Sequence, residues 1–161
     1  TEVLQSGVLI TTKGKYGKLL EKEFAEKLGV KYAYACNSGS AAVHVAIAAI
    51  NPNPGDEIVT TSITDMGALT PIIFQGAIPV FADVNDTWCL DPDAVEAAIT
   101  ERTRAIIPVH FGSSLADMDR LRAIAAKHGL KIIEDACHSW GSKWNGKGTG
   151  ALGDCGVFSF Q

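Results

Sequence analysis

Long apolar runs, clusters of basic residues and paired cysteines are all missing from this chain, and each absence removes a class of function. No stretch approaches the roughly 18 consecutive apolar residues that a membrane helix requires. Fourteen Lys and Arg against eighteen Asp and Glu give a net charge of −4. The basic residues form no run and no stripe, which argues against a nucleic-acid or anionic-membrane partner. The four cysteines (Cys36, Cys89, Cys137, Cys155) are widely separated, with no C-x-x-C among them. They read as reduced thiols of a cytoplasmic protein, neither zinc ligands nor a disulfide frame. No His, Cys and carboxylate spacing suits a metal, and no charged-then-apolar leader opens the chain, so the expectation is a protein that is not secreted. What is present is ordinary for a globular protein: 161 residues, 47% apolar and 20% charged, enough for one domain with a real core.

Apolar Leu20, Phe24 and Leu28 recur every four residues before Gly29, which predicts an amphipathic helix over 16–28. Residues 32–36 read as a short strand or an extended lead-in, and 41–50 as a small, apolar helix. Strands are expected over 57–61, 78–82, 104–109, 131–134 and 155–160. Helices are expected between them, over 67–75, 91–99 and 116–128, with Pro71 leaving the start of the first open and Asp91-Pro92 opening the second. Strands alternating with helices of this length predict crossover units. The fold class is therefore α/β, a three-layer α/β/α structure with a mostly parallel sheet. Because the chain stops on an apolar strand with no closing helix, it is expected to be part of something longer.

The stretch Lys131-Ile132-Ile133-Glu134-Asp135-Ala136-Cys137-His138 organises the rest. In an open parallel sheet, ligands bind beyond the carboxyl ends of the strands, so polar residues ending a buried run sit where chemistry happens. A buried Asp135 needs a positive partner; a protonated pyridine nitrogen is one, and capping a turn is the plainer alternative. The nearby Cys137 carries the further possibility of a reactive thiol. Ser38-Gly39-Ser40-Ala41 opens a helix, where free amides and the dipole make an anion site, unless Ser38 simply caps the helix. Ser159 sets a hydroxyl between Phe158 and Phe160, two rings expected to be buried. Gly148-Thr149-Gly150-Ala151-Leu152-Gly153 matches G-x-G-x-x-G, but it follows a turn and precedes a strand, the reverse of the dinucleotide context. His44 and His128 lie within helices and read as structural. His110, at a strand end on the same edge as Asp135, is a candidate pocket residue.

These pieces together resemble the DegT/StrS-type sugar aminotransferases, a family of fold type I pyridoxal phosphate enzymes. Asn37-Ser38-Gly39-Ser40-Ala41-Ala42-Val43-His44 is similar to the family's N-S-G-T-A-A-L-H, and Pro54-Gly55-Asp56-Glu57-Ile58-Val59 to P-G-D-E-V-I. Four more segments follow in order: residues 75–83 resemble Q-G-A-x-P-V-F-x-D, 103–110 resemble T-K-A-I-I-P-V-H, 134–138 stand at E-D-A-x-Q, and 153–160 at G-D-x-G-x-F-S-F. The resemblance implies that Gly39, Ser40, Ala41 and Ser159 hold the phosphate of pyridoxal 5'-phosphate and that Asp135 pairs with its ring nitrogen. It places His138 where Gln is usual, beside the ring hydroxyl. It further implies an amino-acid donor (typically glutamate), a keto-sugar nucleotide acceptor, a role in nucleotide-sugar and cell-surface polysaccharide biosynthesis, and a homodimer.

Three departures qualify the match. Asp65 stands where a ring-stacking aromatic is common, His138 replaces Gln, and the family's Schiff-base lysine falls five residues after Ser159, beyond Gln161. Residues 1–161 then correspond to the N-terminal part of the large, cofactor-binding domain, without the small C-terminal domain and inactive alone. A deoxysugar dehydratase on the same scaffold, or a non-catalytic truncated product, are the alternatives.

Overall fold

A computed structural model describes residues 2–10 and 12–161, and the chain divides into two units, Thr1–Asn37 and Ser38–Gln161. In the first unit, α1 (Glu2–Ser6) is a single turn that the sequence pattern gives no signal for, and α2 (Lys15–Leu28) is the predicted amphipathic helix. Gly29 ends α2 in the left-handed conformation (φ 70°), which glycine adopts without a side-chain clash. Of the expected stripe, Phe24 and Leu28 are half-buried while Leu20 is exposed, and Ala25 is the buried residue of the helix. Residues 32–36 are extended without forming a strand, and Glu21 holds them on α2 by accepting the Ala35 amide at 3.0 Å.

The second unit is built on β1 (Glu57–Thr60), β2 (Ile78–Phe81), β3 (Thr103–Ile106), β4 (Lys131–Asp135) and β7 (Cys155–Val157), all parallel, in the order β2-β1-β3-β4-β7. The central strands are apolar on both sides because both sides are covered. Ile58, Ala105 and Ile133 point to one face, where they pack with Val43, Ala46 and Ile47 of α3 (Gly39–Ile50) and Ile72 of α4 (Met66–Phe74). Their neighbours Val59, Ile106 and Ile132 point to the other face, against Val95 of α5 (Pro92–Ala98) and Met118, Leu121 and Ala125 of α6 (Met118–His128). This is the expected three-layer α/β/α architecture. Each fully buried Ile or Leu in these layers contributes roughly 1.5–3 kcal/mol of transfer free energy.

All four large helices of this unit open on a side-chain cap: Ser38 accepts from the Ala41 amide, Asp65 from Gly67, Asp91 from Asp93 and Asp117 from Arg120. Asp65 fixes the start of α4 at Met66, and the helix runs through the buried Pro71. Two strands end three residues earlier than predicted, while β1 and β2 each end one residue earlier. Pro108 has no N–H to give the ladder, so β3 stops at Ile106 and pairing resumes as a bridge between Val109 and Asp135. β7 stops at Val157, short of Phe160. Between β4 and β7 lies a small hairpin, β5 (Lys143–Trp144) and β6 (Lys147–Gly148), turned by Asn145-Gly146 with both φ positive (48° and 83°).

The chain leaves β1 for β2 on one side and returns past it to β3 on the other, so strand order reverses between β1 and β3. Ligand crevices of open α/β sheets form outside the carboxyl ends of the strands at such a reversal.

Candidate functional site

Asp135 ends β4 on this carboxyl edge and is 5% exposed. One carboxylate oxygen accepts the Cys137 amide at 3.1 Å, the turn-capping bond of the plainer reading. Among the described residues no cation pairs with Asp135. A buried carboxylate held by the Cys137 amide and thiol has no countercharge among the described residues, which is the condition a protonated ring nitrogen would relieve.

The amino end of α3 meets the end of β7 beside it. A Cβ added at Gly39 would lie 2.8 Å from the Ser159 Cβ, 3.1 Å from its Oγ and 3.6 Å from the Cys137 Sγ. Only glycine allows this approach. The Ser38 hydroxyl takes the Ala41 amide at 3.1 Å, and the Ala42 amide bonds to the Ser38 carbonyl at 3.0 Å. Ala41 therefore has no free amide, while those of Gly39 and Ser40 have no partner among the described residues. The Ser159 Oγ accepts the Gln161 amide at 3.1 Å and keeps its own proton to donate. Two amides at the positive end of a twelve-residue helix, faced by a hydroxyl, make a cradle for a phosphate.

α4 starts next to this cradle. A Cβ on Gly67 would fall 2.1 Å from the Ser40 Oγ and 2.8 Å from an Asp65 oxygen. Asp65 thus accepts the Gly67 amide at 2.7 Å and serves as a cap where the resemblance expects a stacking ring. Burial raises the pKa of the Cys137 thiol, and the facing carboxylates of Asp135 and Asp65 raise it further. It stays protonated, which removes the reactive reading of this cysteine. His138 is exposed, with its ring edge-on to Phe111 (centroids 5.6 Å apart) and its carbonyl accepting the Ser113 hydroxyl at 2.9 Å. The rings flanking Ser159 are not both buried: Phe158 is half-buried, Phe160 is exposed, and Trp140 packs against each at 5.0 and 4.8 Å. Trp140 also donates its indole N–H to the Ser159 carbonyl at 2.9 Å. No pattern in the sequence singles out Trp140, an aromatic two residues after His138.

His110 is a correction. It is fully buried, with Nδ1 accepting the Ala116 amide at 3.2 Å and Nε2 on the Glu134 carboxylate at 3.2 Å, so it lines no pocket. Glu134, also fully buried, takes the amides of Gly150, Leu152 and Gly153 at 2.8, 2.5 and 2.6 Å. Burial alone would raise its pKa; the His110 ring and the three amides outweigh that and hold it below the ordinary carboxylate value. The G-x-G-x-x-G segment is thus an amide nest for an anion, and the anion is the chain's own Glu134. The loop leads into β7 and opens no helix, in keeping with setting the dinucleotide reading aside; its anion-binding character emerges only in the structure.

The chain is 47% identical over 139 residues to a putative L-glutamine:3-amino-2,3-dideoxy-scyllo-inosose aminotransferase of Streptomyces kanamyceticus, covering 86% of this chain and 33% of the relative. It is 43% identical over 153 residues to the GDP-perosamine synthase of Caulobacter vibrioides, covering 94% and 41%. An aminotransferase structure from Psychrobacter cryohalolentis superposes with a TM-score of 0.96 at 35% identity, over 99% of this chain and 40% of the other. NtdA of Bacillus subtilis, solved with bound pyridoxamine phosphate, does so at 0.86 and 35%, over 92% and 34%. The chain spans about two fifths or less of these relatives. The family model for DegT/DnrJ/EryC1/StrS aminotransferases matches residues 1–161. The chain belongs to the DegT/DnrJ/EryC1/StrS aminotransferase family.

Proposed function

We propose that the protein containing this chain is a pyridoxal phosphate-dependent aminotransferase that moves an amino group from an amino-acid donor to a keto-sugar nucleotide. One observation carries the reading. A buried Asp135 without a cation stands at the sheet edge where the α3 amino end, closed by Ser159, offers two free amides. The amides of Gly39 and Ser40 and the hydroxyl of Ser159 would bind the phosphate, with Ala41 lending a small side chain beside them. Asp135 would accept a hydrogen bond from the pyridine nitrogen and keep it protonated. His138 would donate to the ring hydroxyl, a task that its exposed position next to Phe111 allows. Asp65 cannot stack on a ring; it holds the start of α4 beside the cradle instead. When bound, the cofactor supplies the electron sink for the charge left on the substrate carbon as its proton departs.

The names of the relatives support glutamine as donor beside the glutamate that the family resemblance implies, and an inosose or a GDP-linked sugar on the acceptor side. A homodimer working in the cytoplasm completes the proposal; among the described residues no helix is long and apolar enough to cross a membrane.

The test is a half-reaction with the full-length protein loaded with pyridoxal phosphate. Glutamate or glutamine should convert the bound cofactor to pyridoxamine phosphate, read by absorbance, and a keto-sugar nucleotide should restore it. Loss of water from the sugar without amino transfer would favour the dehydratase. No change with any donor would overturn the proposal.

A further inference from the structure

We propose that Glu134 is a positioning residue, an internal anion that fills the amide nest of the 150–153 loop and thereby fixes how closely Ser159 approaches Gly39. The inference rests on the phosphate cradle proposed above and adds the device that sets its width. The loop held by Glu134 touches both sides of the site. A Cβ on Gly150 would lie 2.4 Å from the Phe158 ring, and a Cβ on Gly156 would lie 2.2 Å from the Gly150 carbonyl oxygen, so the loop packs directly on the end of β7 that carries Ser159. On the other side, the buried Thr149 hydroxyl donates to the Ser139 carbonyl at 2.8 Å, tying the loop to the turn after Asp135. Glu134 stands next to Asp135 on β4 and opposite Gly156 on β7. Its carboxylate is the common anchor: one oxygen takes two amides, the other takes an amide and the His110 N–H. With Nδ1 accepting the Ala116 amide, the neutral His110 ring has its proton on Nε2, facing Glu134. Every group around the carboxylate is therefore a donor. A glutamine here must turn its NH2 toward donors on one side or the other, and the loop must move to relieve the clash.

The experiment compares the dissociation constants of pyridoxal phosphate and pyridoxal for the full-length protein, by quenching of intrinsic tryptophan fluorescence. The ratio of the two constants isolates the phosphate contribution. In Glu134→Gln the preference for the phosphorylated form should fall about tenfold or more, with pyridoxal binding nearly unchanged. Thr149→Val, nearly isosteric, should lower it about threefold and decides the matter if Glu134→Gln does not fold. Equal weakening of both ligands, or an unchanged ratio in folded variants, would overturn the inference and leave Glu134 merely structural. An unmodified protein with no preference for phosphate would instead sink the cradle itself, and this inference with it.

Discussion

Gly39→Ala tests the cradle by size alone. The backbone at Gly39 lies within α3 and outside the left-handed region, so alanine meets no conformational penalty. Helix propensity favours it by up to about 1 kcal/mol, less at a first turn. Space is the obstacle. The new methyl would sit 2.8 Å from the Ser159 Cβ and 3.1 Å from its hydroxyl, roughly 1 Å inside ordinary carbon–carbon contact. The Ser159 Cβ is fixed to the backbone and cannot rotate away, so the chain after β7 or the start of α3 must shift, which costs about 1–3 kcal/mol. A shift of that kind withdraws Ser159 from any phosphate on the Gly39 and Ser40 amides, and a hydrogen bond to a charged group is worth about 1.5–3 kcal/mol. The expected result in the full-length protein is a 10- to 100-fold weaker pyridoxal phosphate complex, with a melting temperature lowered by a few degrees. Gly67→Ala is the control: the closest clashes there are with the Ser40 hydroxyl and an Asp65 carboxylate oxygen, both side-chain ends that can rotate away, so the loss should be smaller. Fluorescence titration gives the affinities and calorimetry the stabilities. Unchanged cofactor affinity in a folded Gly39→Ala protein would refute the reasoning.

Other expectations follow from the same geometry. Glu134 has a folded pKa below its unfolded value of about 4.3. The stability it contributes is present above that pH and is lost as pH falls through the folded value. Denaturant melts from pH 6 to pH 3 should show the loss, and its slope should shrink in Glu134→Gln. Asp65→Ala should cost about 1 kcal/mol through loss of the α4 cap, while Asp65→Asn, which keeps an acceptor for the Gly67 amide, should cost a few tenths. Equal losses would show that the charge, and not the cap, is what matters. Cys137 should react with iodoacetamide at neutral pH far more slowly in the folded than in the denatured protein, since burial and two carboxylates hold it protonated; mass spectrometry of the labelled peptide reads this.

The layers of the fold were legible because each strand and helix carries its own period and punctuation. Apolar runs mark buried parallel strands, and Asp91-Pro92 and Gly129 mark helix ends. Strand lengths were less legible: Pro108 interrupts a run that reads as continuous, because a ladder depends on N–H groups that an apolar pattern does not report. Around the site, Asp135, Gly39 and Ser159 were found from strand-end chemistry and motif, and the structure brings the last two into contact. His110 was misjudged because a histidine at a strand end looks the same whether it faces a crevice or a buried glutamate 24 residues away. Partners that distant in sequence are set by topology and leave no local signal. Ala41 is similar: the motif includes it, yet its amide is already taken by Ser38.

The central claim is that Asp135 holds the ring nitrogen of pyridoxal phosphate in its protonated form. The direct measurement is the nitrogen-15 chemical shift of ring-labelled pyridoxal phosphate bound to the full-length protein, with Asp135 and with Asp135→Asn. The account predicts a pyridinium shift in the first, an unprotonated pyridine shift in the second, and nearly complete loss of amino transfer on the same substitution. The same protonation state in both proteins would contradict it.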